Sequence, residues 1–354
     1  MIRFIPGAPR GVPPRFLSRL RSLAVPTAWG AVAVAYRMTC PLARDDAIGA
    51  RLVSSAVLCA VGTGIVLHIR RRMLSEVRHA RRIAEAAQSV LLRPPPPRVE
   101  GLAVAAVHLS ADLGARIGGD LYEVTATEHG VRAVIGDVRG HGLGAVRTGA
   151  TVLGSFREAA HDEKTLDGVL RRLERAMDRH LSERGHDDHP VQDAAPAAEE
   201  FVTILLLEIL PDGKVHALNC GHPWPYRLTG AGAEPLARAD PLPPLGLFPL
   251  PGELPATACG RLLPGDILVL HTDGAEEARD ADGRFFPLPD VLTEAARDRP
   301  QTPQAVLRTV LTALLDHSVG PPKDDVALLI LRNERCSPPS RPTSSVPRSA
   351  TADR

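Results

Sequence analysis

The sequence predicts an α+β domain behind an N-terminal membrane region. Three observations carry this. Short apolar runs rich in β-branched residues recur over residues 99–332. Two helical patterns sit grouped among them instead of following every strand, which favours α+β layers over alternating βαβ units. One uncharged apolar run near the N-terminus ends on an arginine cluster. A chain of 354 residues that is 44% hydrophobic and 23% charged has the material for one sizeable core plus appendages.

In chain order, residues 1–72 form the membrane region. Residues 52–69 (LVSSAVLCAVGTGIVLHI) hold no Asp, Glu, Lys or Arg, and Arg70, Arg71 and Arg72 follow at once. A span needs ~20 apolar residues, and a basic flank stays on the cytoplasmic side. Residues 22–38 form a weaker second span, interrupted by Pro26 and preceded by Arg3, Arg10, Arg15, Arg19 and Arg21. Two spans make a hairpin with both ends in the cytoplasm. With one span, the first run lies on the membrane surface or acts as a signal-like segment. Residues 73–98 form a juxtamembrane linker. Met73, Val77, Ala80, Ile83, Ala84, Ala87, Val90 and Leu91 recur at helical spacing, and Pro94–Pro97 stops the helix.

The compact domain spans residues 99–332. Strands are expected at Leu102–Val107, Val131–Ile135, Phe201–Ile209, Val215–Leu218, Ile267–Leu270 and Val326–Leu331. Helices are expected at Ala145–Ala160 and around Leu166, Leu170, Leu173, Met177 and Leu181, which share one face. Residues 184–200 read as a solvated insertion in which His186, Asp187, Asp188 and His189 have no apolar frame to fix them. Residues 333–354, rich in Ser, Pro and Arg, read as a disordered tail.

The net charge of +1 hides a division. Residues 1–99 carry 16 Lys and Arg against 4 Asp and Glu, while residues 100–354 carry 26 against 37. A basic front suits an anionic membrane surface, and an acidic back excludes nucleic acid as its partner. Cys40, Cys59, Cys220, Cys259 and Cys336 form no C-x-x-C pair, so they read as reduced, unpaired thiols.

Acidic residues sit where strands meet turns. Asp120 follows Gly118-Gly119, Asp137 ends VRAVIGD, Asp273 ends ILVLHTD, and Asp324-Asp325 precede VALLIL. A strand end fixes the Cα of a carboxylate, and neighbouring glycines allow close backbone approach. Several such ends on one rim make an oxygen-rich cage for hard divalent cations, Mg²⁺ or Mn²⁺ sooner than Zn²⁺. Each motif alone is common in turns; their order and number make the signal. A diguanylate cyclase reading of Gly118-Gly119-Asp120 fails, because Leu121 and Tyr122 follow where an acidic residue and Phe are required.

These pieces carry a resemblance. AAQSVLLRPPPP, ARIGGDLYEV, VIGDVRGHGLGAV, FVTILLLEI, NCGHPWPYRL, PLGLFP, LLPGDILVLHTDGAEEARDADGRFF and DDVALLIL occur in that order over residues 87–332. Together they resemble the SpoIIE/RsbU-like branch of the PPM metal-dependent protein phosphatases, in its membrane-anchored bacterial form. The resemblance implies an α-β-β-α sandwich, two antiparallel sheets flanked by helices. It also implies two divalent cations, Mn²⁺ or Mg²⁺, held by Asp120, Asp137, the Val138 carbonyl, Asp273 and Asp324. Asp325 either joins them or orients the turn. The implied reaction is direct hydrolysis of a phosphoserine or phosphothreonine ester without a phosphoenzyme. His141 is a candidate general acid or a structural loop residue. Arg139 is a candidate phosphate contact or a solvated loop arginine. His222 orders a turn, and Gly246 belongs to a turn or substrate flap. The implied substrate is a STAS-domain anti-anti-sigma factor, the location is the bacterial cell membrane with a cytoplasmic catalytic domain, and the linker helix offers a homodimer contact. The rival from another class is a silent receptor or scaffold on the same fold, which loss of a metal ligand would favour.

Overall fold

Alternation along the last strands of the chain sets the layers. In the computed structural model, Leu268 and Leu270 of one strand and Ala327, Leu329 and Leu331 of its neighbour enter one hydrophobic core. Ile267, Val269, Val326, Leu328 and Ile330, the residues between them, enter a second. Side chains of a strand alternate between faces, so both faces of this sheet are buried. The structure describes residues 56–57, 60–75, 92–109, 118–140, 142–186, 200–297, 302–318 and 324–335. The chain divides into two units, Met1–His79 and Ala80–Arg354.

The second unit holds two sheets. One has six strands in the order β1-β2-β11-β10-β7-β8, the other five in the order β3-β4-β5-β6-β9. The strands are β1 Arg98–Val99, β2 Leu102–Leu109, β3 Asp120–Thr127, β4 Gly130–Val138, β5 Val202–Ile209, β6 Lys214–Cys220, β7 Tyr226–Thr229, β8 Gly232–Pro235, β9 Thr257–Arg261, β10 Ile267–His271 and β11 Val326–Asn333. All pairings among them are antiparallel. Five helices occur among the described residues of this unit: α1 Leu143–Asp162, α2 Leu166–His186, α3 Asp273–Glu277, α4 Leu288–Ala295 and α5 Pro303–His317. Helices α1 and α2 pack together and cover the five-stranded sheet, while α4 and α5 cover the six-stranded one. The result is the expected α-β-β-α sandwich.

Strands β1, β3, β7, β8 and β9 and helices α3, α4 and α5 are absent from the sequence reading, and three of them show why. Strand β3 is absent from it because Glu123, Thr125 and Thr127 break the apolar run, although the strand pairs fully with β4. Helix α4 opens with proline in its first turn. Helix α5 begins with Pro303 behind Thr302, whose hydroxyl accepts the Ala305 N–H at 3.2 Å. Proline in a first turn behind a capping hydroxyl is a helix start, not a break.

Strand β4 is locked to α1 by a buried charge. Arg132 is fully buried; its Nε and Nη2 donate to Glu208 Oε1 at 2.9 and 2.7 Å. Its remaining N–H groups donate to the carbonyls of Ala160, Glu163 and Lys164. The C-terminal carbonyls of a helix need such partners.

In the first unit, residues 60–75 are helical. No helix among the described residues is long and apolar enough to cross a membrane. The expected span at 22–38, part of that at 52–69, most of the linker helix, residues 187–199 and the tail from 336 onward lie outside the described residues.

Candidate metal centre

The register of β3 and β4 sets Asp120 directly across from Asp137. Both lie at the same rim, where β3 begins and β4 ends. Val138 donates its N–H to the Gly119 carbonyl at 3.1 Å and closes this corner. The six-stranded sheet brings the rest. Asp273 opens α3 one residue beyond β10, behind Thr272, and Asp324-Asp325 lead into β11, the neighbour of β10. The Asp325 N–H donates to Asp324 Oδ1 at 2.9 Å.

Gly118-Gly119 is the floor of the arrangement. A Cβ on Gly119 would stand 2.3 Å from the Val138 carbonyl oxygen and 2.6 Å from Asp137 Oδ1. A Cβ on Gly118 would stand 2.4 Å from Asp325 Oδ2. Only glycine permits carboxylates from both sheets to come this close to the backbone. Asp325 therefore points into the site, beyond a turn-orienting role alone.

The charges in this corner repel one another. Burial, then Asp137 and Asp325, push Asp120 well above the ordinary carboxylate range. Burial, then Asp273, Asp324 and Asp325, push Asp137 up to about 8. Asp273, more open to solvent, is raised by partial burial and by Asp324 and Glu277. Like charges in a poorly solvated corner favour protons, or a cation in their place. The donor set is all oxygen, which suits a hard divalent cation. Among the described residues no group of three or more His, Cys, Asp or Glu side chains is gathered closely enough to hold a metal ion as the side chains stand. The carboxylates line a rim, and a cation there would relieve their mutual repulsion. The residues fit the implied metals.

Residues 127–334, more than half of the chain, match the family model of Stage II sporulation protein E (SpoIIE). The chain belongs to the SpoIIE family. Solved structures agree on the fold. The RsbU and RsbW domains of Rv1364c from Mycobacterium tuberculosis are similar at 24% identity and a TM-score of 0.52, over 69% of this chain and 62% of that one. The SiaA-PP2C domain of Pseudomonas aeruginosa is similar at 18% identity and a TM-score of 0.54, over 75% of this chain and 98% of that one. The chain thus spans less than two thirds of the solved mycobacterial chain and nearly all of the PP2C domain. The SpoIIE-family match takes in Asp137, Asp273, Asp324 and Asp325, with Asp120 just upstream of it.

Behind the SpoIIE-family carboxylates lies a buried polar layer that the sequence reading missed. Thr272, fully buried, donates from Oγ1 to Asp120 Oδ2 at 3.0 Å and accepts the Ala327 N–H at 2.9 Å. His222 pairs its Nδ1 with Thr203 Oγ1 at 3.1 Å and its Nε2 with the His271 carbonyl at 3.1 Å. The Asn219 amide oxygen accepts the His222 N–H and its NH₂ donates to the His222 carbonyl, both at 2.8 Å. Burial lowers His222 to about 3, so it is a neutral turn-former and not a proton carrier. His271 stacks on Tyr226 with centroids 5.5 Å apart. The motif NCGH was visible in the sequence; its contacts join residues up to 49 positions apart and were not.

The remaining expected residues divide. The Val138 carbonyl faces Gly119 at the site. Arg139 sits over the Phe201 ring at 5.1 Å, an exposed stacking arginine beside the rim. Gly246, at φ 88°, lies against Met177 and the Glu200 carbonyl, in a turn tied to β5 by paired Val202–Leu245 backbone bonds of 2.9 Å. Cys220 and Cys259 are free and buried, and burial pushes them up to about 12 and about 11. Such thiols are inert. His141 lies outside the described residues, as do Cys40, Cys59 and Cys336.

Proposed function

We propose that this SpoIIE-family domain hydrolyses phosphoserine or phosphothreonine esters on a protein, using two divalent cations, Mn²⁺ or Mg²⁺. The observation that carries the reading is the convergence of five aspartates from both sheets on one rim, where burial and mutual repulsion push Asp120 and Asp137 upward. Asp120, Asp137, the Val138 carbonyl, Asp273 and Asp324 hold the cations, and Asp325 closes the cradle over Gly118. Two bound cations supply positive charge for the phosphoryl oxygens of the transition state.

The chain's own residues do the rest. Asp120 is buried and held from the far side by Thr272, so it fixes the floor of the site. Asp137, half-buried, presents its carboxylate at the rim. Gly119 lets the Val138 carbonyl face the same point. His141, between Gly140 and Gly142 in the sequence, is the candidate general acid for the leaving serine oxygen.

The substrate belongs to a partner-switching pathway: a phosphoserine on a STAS-domain anti-anti-sigma factor. The resemblance to the RsbU-like branch supports this, as does a fold relative that carries RsbU and RsbW domains. The uncharged run with its arginine flank in residues 52–72 supports a location at the bacterial cell membrane with the domain in the cytoplasm, and the linker of residues 73–98 offers a homodimer contact.

Phosphate release by the full-length protein tests the activity. A phosphoserine peptide and phosphorylated STAS-domain proteins are compared with Mn²⁺, Mg²⁺ or EDTA. Metal-dependent release that disappears in Asp137→Asn is the expected result, with the STAS protein preferred over the peptide. A folded, metal-bound protein that releases nothing from any of them overturns the reading.

A further inference from the structure

Thr272 reaches the rim from the opposite sheet. It stands between the end of β10 and Asp273, is fully buried, and touches Asp120 of the five-stranded sheet. Its hydroxyl is fully committed. The Ala327 N–H points into Oγ1 at 2.9 Å, while the Thr272 N–H donates to the Ala327 carbonyl at 3.1 Å. A hydroxyl has one hydrogen, and the Ala327 N–H already occupies a lone pair. The hydrogen is therefore directed at Asp120 Oδ2, 3.0 Å away. The bond spans the two sheets and joins residues 152 positions apart. It ties the β3 corner to β10 and β11, which carry the other three aspartates.

This has a consequence for Asp120. With Oδ2 held by Thr272, the carboxylate's rotation is restrained, and Oδ1 is the oxygen this threonine does not engage. A hydrogen bond to a ligating carboxylate sets both its orientation and its donor strength.

We infer that Thr272 is a positioning residue for the metal centre, which selects the oxygen Asp120 offers to a cation and braces the two sheets across the site. The inference rests on the metal-site reading above. Thr272 touches neither substrate nor cation; it acts through Asp120.

The test is Mn²⁺ affinity, measured by titration calorimetry on the full-length protein and on Thr272→Val, Thr272→Ala and Thr272→Ser, with circular dichroism to confirm folding. Valine keeps the volume and removes the hydroxyl; serine keeps the hydroxyl. The expected result is a Kd about 10–100-fold weaker in Thr272→Val, the usual cost of losing such a support, with Thr272→Ser close to wild type. Thr272→Ala takes the place of the valine variant if that one does not fold. A folded hydroxyl-free variant that binds Mn²⁺ as wild type does overturns the inference, as does Thr272→Ser being weakened as much as Thr272→Val. Wild-type protein that binds no Mn²⁺ overturns the metal-site reading itself, a separate outcome because it appears before any variant is compared.

Discussion

The two ends of β4 treat charge in opposite ways. Near its start, Arg132 is fully buried, and Glu208 and three backbone carbonyls answer its N–H groups. Near its end, Asp137 faces Asp120 across the ladder, and burial, then the repulsion of Asp273, Asp324 and Asp325, push it up to about 8. One strand thus carries a saturated charge and an unbalanced one. The saturated pair is architecture, because nothing further can bind it. The unbalanced cluster costs the protein stability by itself, which marks it as the candidate site for a bound cation.

Substitutions at the two ends should separate these roles. Asp137→Asn has the largest expected effect on activity. Metal-dependent phosphate release should fall by more than the roughly 100-fold that loss of a supporting residue costs. The same variant should raise the melting temperature of the metal-free protein at pH 8, because it deletes a repelled buried charge worth about a few kcal/mol. Arg132→Ala should do the reverse. Leaving Glu208 and the helix carbonyls without their partner should lower stability by about 3–5 kcal/mol in denaturant titrations, with Mn²⁺ affinity unchanged in the protein that remains folded.

The pH profile sharpens the contrast. Asp137 has a folded value raised above the unfolded one, so the folded state holds the extra proton. Its contribution is lost as pH rises toward about 8. His222 has a folded value lowered to about 3, so the unfolded state holds the extra proton. Its contribution is lost as pH falls below the ordinary histidine value of 6.5. Above 6.5 only the carboxylate effect operates of these two. Below 6.5 the two effects offset each other, so the contribution of these two groups to the metal-free protein should be level up to pH 6.5 and fall as pH rises toward about 8 in thermal melts, and saturating Mn²⁺ should remove that alkaline decline. The smallest effect belongs to Arg139→Ala, which loses only an exposed stack on Phe201 and should cost about 0.5–1 kcal/mol, read by the same melts.

Much of this was legible in the sequence because it is local. Strands β2, β4, β5, β6, β10 and β11 are apolar runs of strand length, and aspartates at their ends beside glycine mark a rim. What was not legible is long-range. Thr272 is an ordinary threonine until β11 places the Ala327 N–H on it and β3 places Asp120 opposite. Asp325 read as an ambiguous second aspartate until Gly118 brought its carboxylate into the site. Strand β3 was lost because its middle alternates with polar residues, and β4, not its own composition, makes it a strand. Helices α4 and α5 were lost to their prolines, which break a helix in its interior and start one at its first turn.

The most direct test of the central claim is a thermal melt at pH 8 of the wild-type protein and Asp137→Asn, each with and without Mn²⁺. The account predicts that Asp137→Asn melts higher than wild type without metal, and that Mn²⁺ stabilises wild type strongly and the variant weakly. Wild type unaffected by Mn²⁺, with Asp137→Asn less stable than wild type in its absence, would contradict it, since the aspartates would then be structural and not a site kept for cations.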